Sequence, residues 1–231
     1  GFGGESSGGE YHTIFDTYSH YTRFKDPGFD YGITLAKTAG HITLRMANAD
    51  ILPFEMKAWY KTVSEYMDEV TETTEAMRKQ AEKQQQLVAE NAYVIAADPK
   101  DNLKAPEAEK DIPYLDFSPL QNALASVKTS VHDFSKTDFT SLSASKQKMV
   151  NAKLKDLEKA LLSESGLPRR PWFKHQIYAP GFYTGYGVKT LPGVREAIEQ
   201  KNFEEAQEQI EKLAKTLTAF KGKIDEIVKM G

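Results

Sequence analysis

The chain has 231 residues, of which 40% are hydrophobic and 27% charged, with a formal net charge of -3 and no cysteine. This length supports one large hydrophobic core or two small ones. Its 30 basic residues are spread among 33 acidic ones, so no basic stripe indicates a nucleic-acid partner. We expect no membrane span, because no apolar run approaches the ~20 residues that cross a bilayer. The lack of cysteine excludes disulfides and thiolate zinc sites but leaves the cellular compartment open.

Apolar residues recur at helical spacing along most of the chain, and strand-like alternation is nearly absent. A buried helix is predicted from Phe29 to Asn48, after a turn at Asp26-Pro27-Gly28. Four amphipathic helices are predicted further on: from Pro53 to the Gln84-Gln85-Gln86 stretch, from Ser118 to Phe134, from about Ser145 to Ser163, and from Asn202 onward. The fold class is therefore all-α, a helical bundle of about four main helices.

Individual residues predict where two of these helices begin and which segments are exposed. Ser118 is predicted to cap the helix that Pro119 opens, and Asn202 with Glu205 forms an N-x-x-E capping arrangement. The glutamine-rich end of the first long helix is predicted to be exposed to solvent, and residues 98–113 to form a surface loop. The last helix carries a regular row of apolar residues, here called the seam, which needs a helical neighbour to pack against. Packing of the seam within one chain is favoured over packing between two chains.

The segment from Ser165 to Gly193 resists a helical interpretation, since it is rich in proline, glycine and aromatic residues. A loop of this length without its own secondary structure is usually functional. One interpretation is a connector pinned across the bundle, anchored by Trp172, Phe173 and Tyr178. The other is a loop that binds a ligand or partner, with tyrosine hydroxyls and cationic side chains orienting an anionic group.

The five histidines, His12, His20, His41, His132 and His175, form no zinc-binding motif. A lone histidine such as His12 is more often structural than a metal ligand. Residue chemistry alone therefore shows no complete active site.

Four motifs in order carry a family resemblance: G-G-E-Y-H-T-I-F-D-T-Y, F-K-D-P-G-F-D-Y-G, A-N-A-D-I-L-P-F, and G-L-P-R-R-P-W-F-K-H-Q-I-Y-A-P with a later L-P-G. Together they resemble the C-terminal third of glutamate carboxypeptidase II-like zinc peptidases, of which the transferrin receptor is a non-catalytic relative. The resemblance implies that residues 1–50 are the tail of a peptidase catalytic domain. Residues 51–231 would then be a transferrin-receptor-like helical dimerisation domain.

The same resemblance assigns roles to individual residues. His12 matches the last ligand of a two-zinc site, and Tyr11 matches a tyrosine of the substrate pocket. A Lys-Tyr pair that binds the carboxylates of a terminal glutamate aligns with Gly185 and Tyr186, so the tyrosine is kept and the lysine is not. The missing lysine argues against a preference of the parent enzyme for a terminal glutamate. Lys189 is the alternative cation for the same pocket. His175 matches a histidine near the pocket, and a structural role for it is equally open.

The other zinc ligands and the general base would lie in a preceding domain that this chain does not contain. Two zinc ions in such a parent would generate a hydroxide and polarise the scissile carbonyl. Because the receptor branch has lost its zinc ligands, the retained His12 favours a catalytic parent.

These considerations give one main hypothesis and two alternatives. The main hypothesis is the dimerisation and pocket-closing domain of a two-zinc exopeptidase, acting on peptides as a homodimer. The chain alone is expected to be inactive and to bind no zinc, and the resemblance favours an extracytoplasmic location, periplasmic or secreted. The alternatives are a non-catalytic, receptor-like interaction domain and a free-standing helical binding protein.

Overall fold

The computed structural model describes residues 10–98, 100, 104–185 and 187–231. The chain divides into two compact units, one ending at Pro53 and the other beginning at Phe54.

Residues 10–53 of the first unit contain two α-helices and a connecting π-helical turn. Helix α1 spans Tyr18–His20, the turn spans Tyr21–Lys25, and α2 spans Asp30–Ala47. The predicted helix between Phe29 and Asn48 is thus present. The prediction that it is buried is wrong, because none of its residues is buried. Within residues 10–53 the other helical segment is short and exposed, so it covers little of the apolar surface of α2.

Asp26 organises the start of α2. Its carboxylate is only 3% exposed and accepts hydrogen bonds from the backbone N–H of Gly32 at 2.9 Å and of Tyr31 at 3.3 Å, and from the hydroxyl of Tyr21 at 3.0 Å. Burial alone would raise the pKa of Asp26, but these hydrogen bonds favour the ionised form and leave the pKa lowered. The carboxylate therefore satisfies free N–H groups at this helix N-terminus.

The second unit begins with α3, a 34-residue helix over Met56–Ala89. Its buried residues recur at intervals of three, four or seven: Met56, Val63, Met67, Val70, Thr74, Arg78 and Ala81. A short helix α4, Ala92–Ile95, follows.

The glutamine-rich end of α3 is half-buried at Gln84 and Gln85, which corrects the prediction that it is exposed to solvent. Gln84 binds the carbonyl of Glu107 and the N–H of Glu109, both at 2.8 Å. Gln85 donates to the carbonyl of Glu109 and to Asp111, also at 2.8 Å. The amide side chains thus pair with the backbone of the loop that follows.

Helix α5 spans Ser118–Lys136, and its start differs from the prediction. Pro119 lies in the first turn as expected, but Phe117 and not Ser118 occupies the N-cap position, and the N-cap side chain makes no capping hydrogen bond. Instead Asp116 accepts from the N–H of Ser118 at 2.9 Å. A cap two residues upstream therefore replaces the predicted serine.

Helix α6, Ala144–Asp156, continues into a 3₁₀ turn, Leu157–Leu161. The four predicted inward residues, Val150, Leu154, Leu157 and Leu161, are all buried.

Helix α8, Phe203–Val228, is the centre of the second unit. Asn202 caps it by accepting from the N–H of Glu205 at 3.3 Å, as predicted. The seam packs on α5, α7, α6 and the 3₁₀ turn. Its buried apolar members include Ala206, Ile210, Leu213, Leu217, Phe220, Ile224 and Ile227. The seam is therefore satisfied within the chain.

The segment from Ser165 to Gly193 has more regular structure than predicted. Strands β1, Tyr178–Pro180, and β2, Val188–Thr190, form an antiparallel hairpin in which Ala179 faces Lys189. Helix α7, Pro192–Glu199, then packs on α8. Trp172 is 70% exposed, which contradicts its predicted role as an anchor, whereas Leu167, Ile177 and Leu191 are at most 3% exposed.

The architecture is mainly α, with a two-stranded hairpin as its sheet in the described residues. The predicted fold class is confirmed.

Candidate functional site

Tyr11 and His12 lie in an exposed turn before α1. His12 has a φ of 60°, a left-handed conformation that is uncommon outside glycine, and its ring lies 4.0 Å from the ring of Tyr11. An ion pair from Lys25 to Glu10 ties this turn to the end of the π-helical turn. The hydrogen bond from Lys25 lowers the pKa of Glu10.

The described residues contain no group of three or more His, Asp or Glu side chains placed to share a metal ion. A zinc site in an enzyme needs at least three protein ligands. The residues described here therefore do not form a zinc centre by themselves, and His12 can supply at most one ligand to such a centre.

The hairpin loop Gly181–Gly187 contains Gly185 and Tyr186, two of the positions that the sequence resemblance assigned to a substrate pocket. Tyr186 lies outside the described residues. The loop is closed by hydrogen bonds from Gly181 N–H to the Gly187 carbonyl at 2.9 Å and from Gly187 N–H to the Thr184 carbonyl at 3.0 Å. Gly185 has a φ of 57°, which glycine adopts without strain.

A buried ion pair fixes the base of this loop. Arg170 is 3% exposed and donates from Nη2 to Oε2 of Glu196 at 2.5 Å and from Nη1 to the carbonyl of Pro180. The second oxygen of Glu196 accepts the N–H of Phe182 at 2.7 Å. Both flanks of the turn at Gly181 are thereby tied to α7.

Lys189 of β2 is paired with a carboxylate in the structure. Its Nζ lies 2.8 Å from both carboxylate oxygens of Glu199 on α7. Its proposed contact with substrate stays a prediction, and such a contact would compete with this pair.

His175 lies beside Glu158 and Tyr178. Its Nδ1 accepts hydrogen bonds from the N–H groups of Ile177 at 3.2 Å and Tyr178 at 3.3 Å, so the proton of the neutral ring resides on Nε2. Nε2 is buried, makes no well-directed hydrogen bond, and lies 3.4 Å from Oε1 of Glu158. Burial lowers the pKa of His175, against an opposing effect of Glu158. The ring is therefore held neutral.

Tyr178 completes this cluster. Its hydroxyl donates to Oε1 of Glu158 at 2.7 Å, and this bond raises the pKa of Tyr178. Glu158 and Tyr178 also border a cavity of about 210 Å³ whose apolar lining includes Met56, Trp59 and Phe220.

Sequence reasoning did not single out Glu158 and Glu196, and it considered Arg170 only as one of the cationic side chains of the long loop. Glu158 contacts His175 across 17 positions and Arg170 contacts Glu196 across 26, and no local spacing rule links residues so far apart.

Among the described residues, no helix combines the length and apolar character that crossing a membrane requires.

Part of the sequence matches a known domain family. Residues 115–225 match the model of the transferrin receptor-like dimerisation domain, and the match runs from just before α5 to the last turn of α8.

The chain is also similar to known proteins over most of its length. The chain is 25% identical over 92% of its length to a probable glutamate carboxypeptidase of Arthroderma benhamiae, and covers 25% of that protein. It is 26% identical over 81% of its length to aminopeptidase NAALADL1 of Mus musculus, covering 21% of it. A protein of Schizosaccharomyces pombe named as an inactive zinc metalloprotease is 34% identical over 29% of the chain and 8% of its own length. The chain thus spans about a quarter of the first of these relatives, and the resemblance to peptidases of this type is confirmed.

Proposed function

We propose that this chain is the dimerisation and pocket-closing part of a two-zinc exopeptidase of the glutamate carboxypeptidase type, acting on peptides as a homodimer. The observation that carries the proposal is the joint match of residues 115–225 to the dimerisation domain and of 92% of the chain to a probable glutamate carboxypeptidase. We also propose that the protein is extracytoplasmic, either periplasmic or secreted.

In this proposal His12 supplies one zinc ligand, and the remaining ligands come from outside the described residues. Its exposed imidazole in a strained turn supports the assignment, since strained backbone is often kept where function requires it. Tyr11, whose ring contacts that of His12, is proposed to line the substrate pocket. The chain alone is expected to be inactive, because a single histidine cannot hold a catalytic ion.

The experiment is mutation of His12 in the full-length protein. His12→Ala should remove most peptidase activity and lower the zinc content, and it should leave the second unit folded. His20→Ala is the matched control, since His20 is a nearby histidine whose ring packs on Phe24. Full activity and full zinc content in His12→Ala would show that the assignment is wrong.

The alternative is a non-catalytic, receptor-like interaction domain, and the relative named as inactive favours it. Peptidase activity of the full-length protein separates the two functions. A zinc-free, inactive protein that still dimerises would support the alternative.

A further inference from the structure

Four elements of the second unit meet around the cavity of about 210 Å³ beside Glu158. They are the first turn of α3, the 3₁₀ turn that follows α6, strand β1 and helix α8. Part of the lining is buried, with Leu161 and Phe220 each 2% exposed. Another part is open to solvent, since the side chain of Glu158 is 63% exposed and Tyr178 is 48% exposed. A small ligand can therefore enter from the side of these two residues.

Aromatic rings form much of the lining, and they come from Phe54, Trp59, Tyr178 and Phe220. Trp59 stacks on Phe220 with ring centroids 4.3 Å apart. Tyr178 packs against the ring of His175 with centroids 4.1 Å apart. These rings are thus held in place by one another, so little conformational entropy is lost when a ligand packs against them.

The charge of the lining is negative, because its residues include the carboxylate of Glu158 and no lysine or arginine. This carboxylate accepts the hydroxyl of Tyr178 at 2.7 Å and lies 3.4 Å from the His175 ring. In the part of the chain that the structure describes, no lysine or arginine pairs with Glu158, and the neighbouring Lys159 pairs with Asp156 instead. A negative charge beside aromatic ring faces favours a cationic ligand.

The lining favours an ammonium group that carries methyl groups in place of N–H bonds. A primary ammonium has three N–H donors, each of which needs an acceptor once water is removed. The lining side chains offer the Glu158 carboxylate and the Tyr178 hydroxyl, which are already bonded to each other. A methylated ammonium needs no acceptor and buries its methyl groups against apolar residues.

The volume limits the size of the ligand. An apolar protein cavity of about 150 Å³ holds one benzene molecule, whereas drug-sized ligands occupy pockets of about 300 to 1,000 Å³. At about 210 Å³, the cavity has room for a trimethylammonium group with a short alkyl arm.

We propose that this cavity binds a small, free organic cation of the methylated ammonium class. Glu158 is its counter-charge, and Trp59, Tyr178 and Phe220 form its aromatic wall. The lining residues named above are not among those that the family resemblance assigns to metal or substrate binding. The proposal therefore stands whether or not the full-length protein is a peptidase.

The test is calorimetric titration of the 231-residue chain with matched probes. The probes are choline, ethanolamine as its primary-amine analogue, and neohexyl alcohol, in which carbon replaces the nitrogen of choline. Choline should bind about tenfold more tightly than neohexyl alcohol, and also more tightly than ethanolamine. Absence of choline binding, or equal binding of either analogue, would overturn the proposal.

Fluorescence locates the bound cation. The chain has two tryptophans, Trp59 in the cavity and Trp172, which is 70% exposed. In the Trp172→Phe protein the tryptophan emission comes from Trp59 alone, and choline should change it. An unchanged emission at a choline concentration that saturates the calorimetric binding would place the cation elsewhere and contradict the proposal.

Variants separate charge from shape. Glu158→Gln keeps an acceptor for Tyr178 but removes the charge, so choline should bind about threefold more weakly while neohexyl alcohol is unaffected. Glu164→Gln is the matched control and should bind choline as the wild type does, since Glu164 pairs with Lys174 and is 95% exposed. Trp59→Phe should weaken choline binding less than Trp59→Leu, which removes the ring. Equal choline affinity in Glu158→Gln and the wild type would contradict the assigned counter-charge.

A methylated lysine of another protein carries the same head group. Acetyl-trimethyllysine-amide is the probe for that source, and it should bind no more tightly than choline because its longer stem extends out of the cavity. Tighter binding of the lysine compound would overturn the assignment to a free small molecule.

Discussion

Arg170 and Glu196 form a buried ion pair, 2.5 Å between Nη2 and Oε2, across the base of the β1–β2 hairpin. The pair is 26 residues apart in sequence and joins the segment before the hairpin to helix α7. Arg170 also donates to the carbonyl of Pro180, and Glu196 also accepts from the N–H of Phe182. The pair therefore contacts the backbone on both sides of Gly181. The carboxylate of Glu196 therefore helps to position the loop both directly, through Phe182, and indirectly, through Arg170.

Replacing this carboxylate should destabilise the second unit. Glu196→Gln leaves Arg170 buried without a counter-charge, a change that costs about 3 kcal/mol of unfolding free energy. Urea denaturation measures the loss. Glu199→Gln is the matched control on the same helix, and removal of its more exposed pair should cost less than about 1 kcal/mol. Equal losses in the two variants would contradict a special role for Glu196.

His175 should titrate below its usual pKa of 6.5. Burial lowers this pKa, and protonation at Nδ1 would also displace the N–H groups of Ile177 and Tyr178. Because the unfolded chain then binds the proton more readily, this residue's contribution to stability is present above pH 6.5 and decreases as the pH falls below it.

NMR titration of the His175 ring checks this prediction. Glu158 raises the pKa of His175 against the effect of burial, so Glu158→Gln should lower that pKa further. A rise in the Glu158→Gln protein, or a wild-type value above 6.5, would show that the cluster is described wrongly.

The seam of α8 should dominate the stability of the second unit. Ile210 is fully buried, and Ile210→Ala removes buried methyl groups and leaves a cavity, at a cost of about 2 to 5 kcal/mol. Ile95, in α4, is 80% exposed, so Ile95→Ala should change stability by no more than about 0.5 kcal/mol. Thermal or urea unfolding compares the two variants, and a small effect at Ile210 would mean that α8 is not packed as described.

Arg78 should hold the loop before α5 onto α3. Its guanidinium donates to the carbonyls of Ile112 at 3.3 Å and Pro113 at 3.1 Å, and lies 3.7 Å from the ring centroid of Tyr114. Arg78→Met keeps the apolar stem but loses these bonds, with an expected loss of about 2 kcal/mol.

Chymotrypsin cleavage after Tyr114 gives a local measurement of the same effect. The Arg78→Met protein should be cut faster there than the wild type. Lys79→Met, at the exposed neighbouring position, should be cut at the wild-type rate. Equal cleavage in all three proteins would exclude the role proposed for Arg78.

Helical periodicity predicted most of the second unit because its helices bury regular apolar faces. The hairpin and α7 were missed, although Val194, Ala197 and Ile198 carry the i, i+3, i+4 spacing of a short buried helix. Proline and glycine around Leu191 obscured that pattern.

The candidate site was less predictable than the fold. Its anchoring contact joins Arg170 to Glu196 through tertiary structure, and sequence spacing cannot reveal such a pair. The roles of His12, Tyr11, Tyr186, His175 and Lys189 in metal or substrate binding stay predictions, as does the assignment of residues 1–50 to a catalytic domain.

The central proposal is that this chain contains a dimerisation domain and forms a homodimer, and its mass in solution tests that most directly. Because the α8 seam is satisfied within the chain, a dimer has to use a surface other than this seam. Light scattering over a wide range of concentrations should give twice the 26.0 kDa of one chain. A mass of 26.0 kDa at every concentration would contradict the claim.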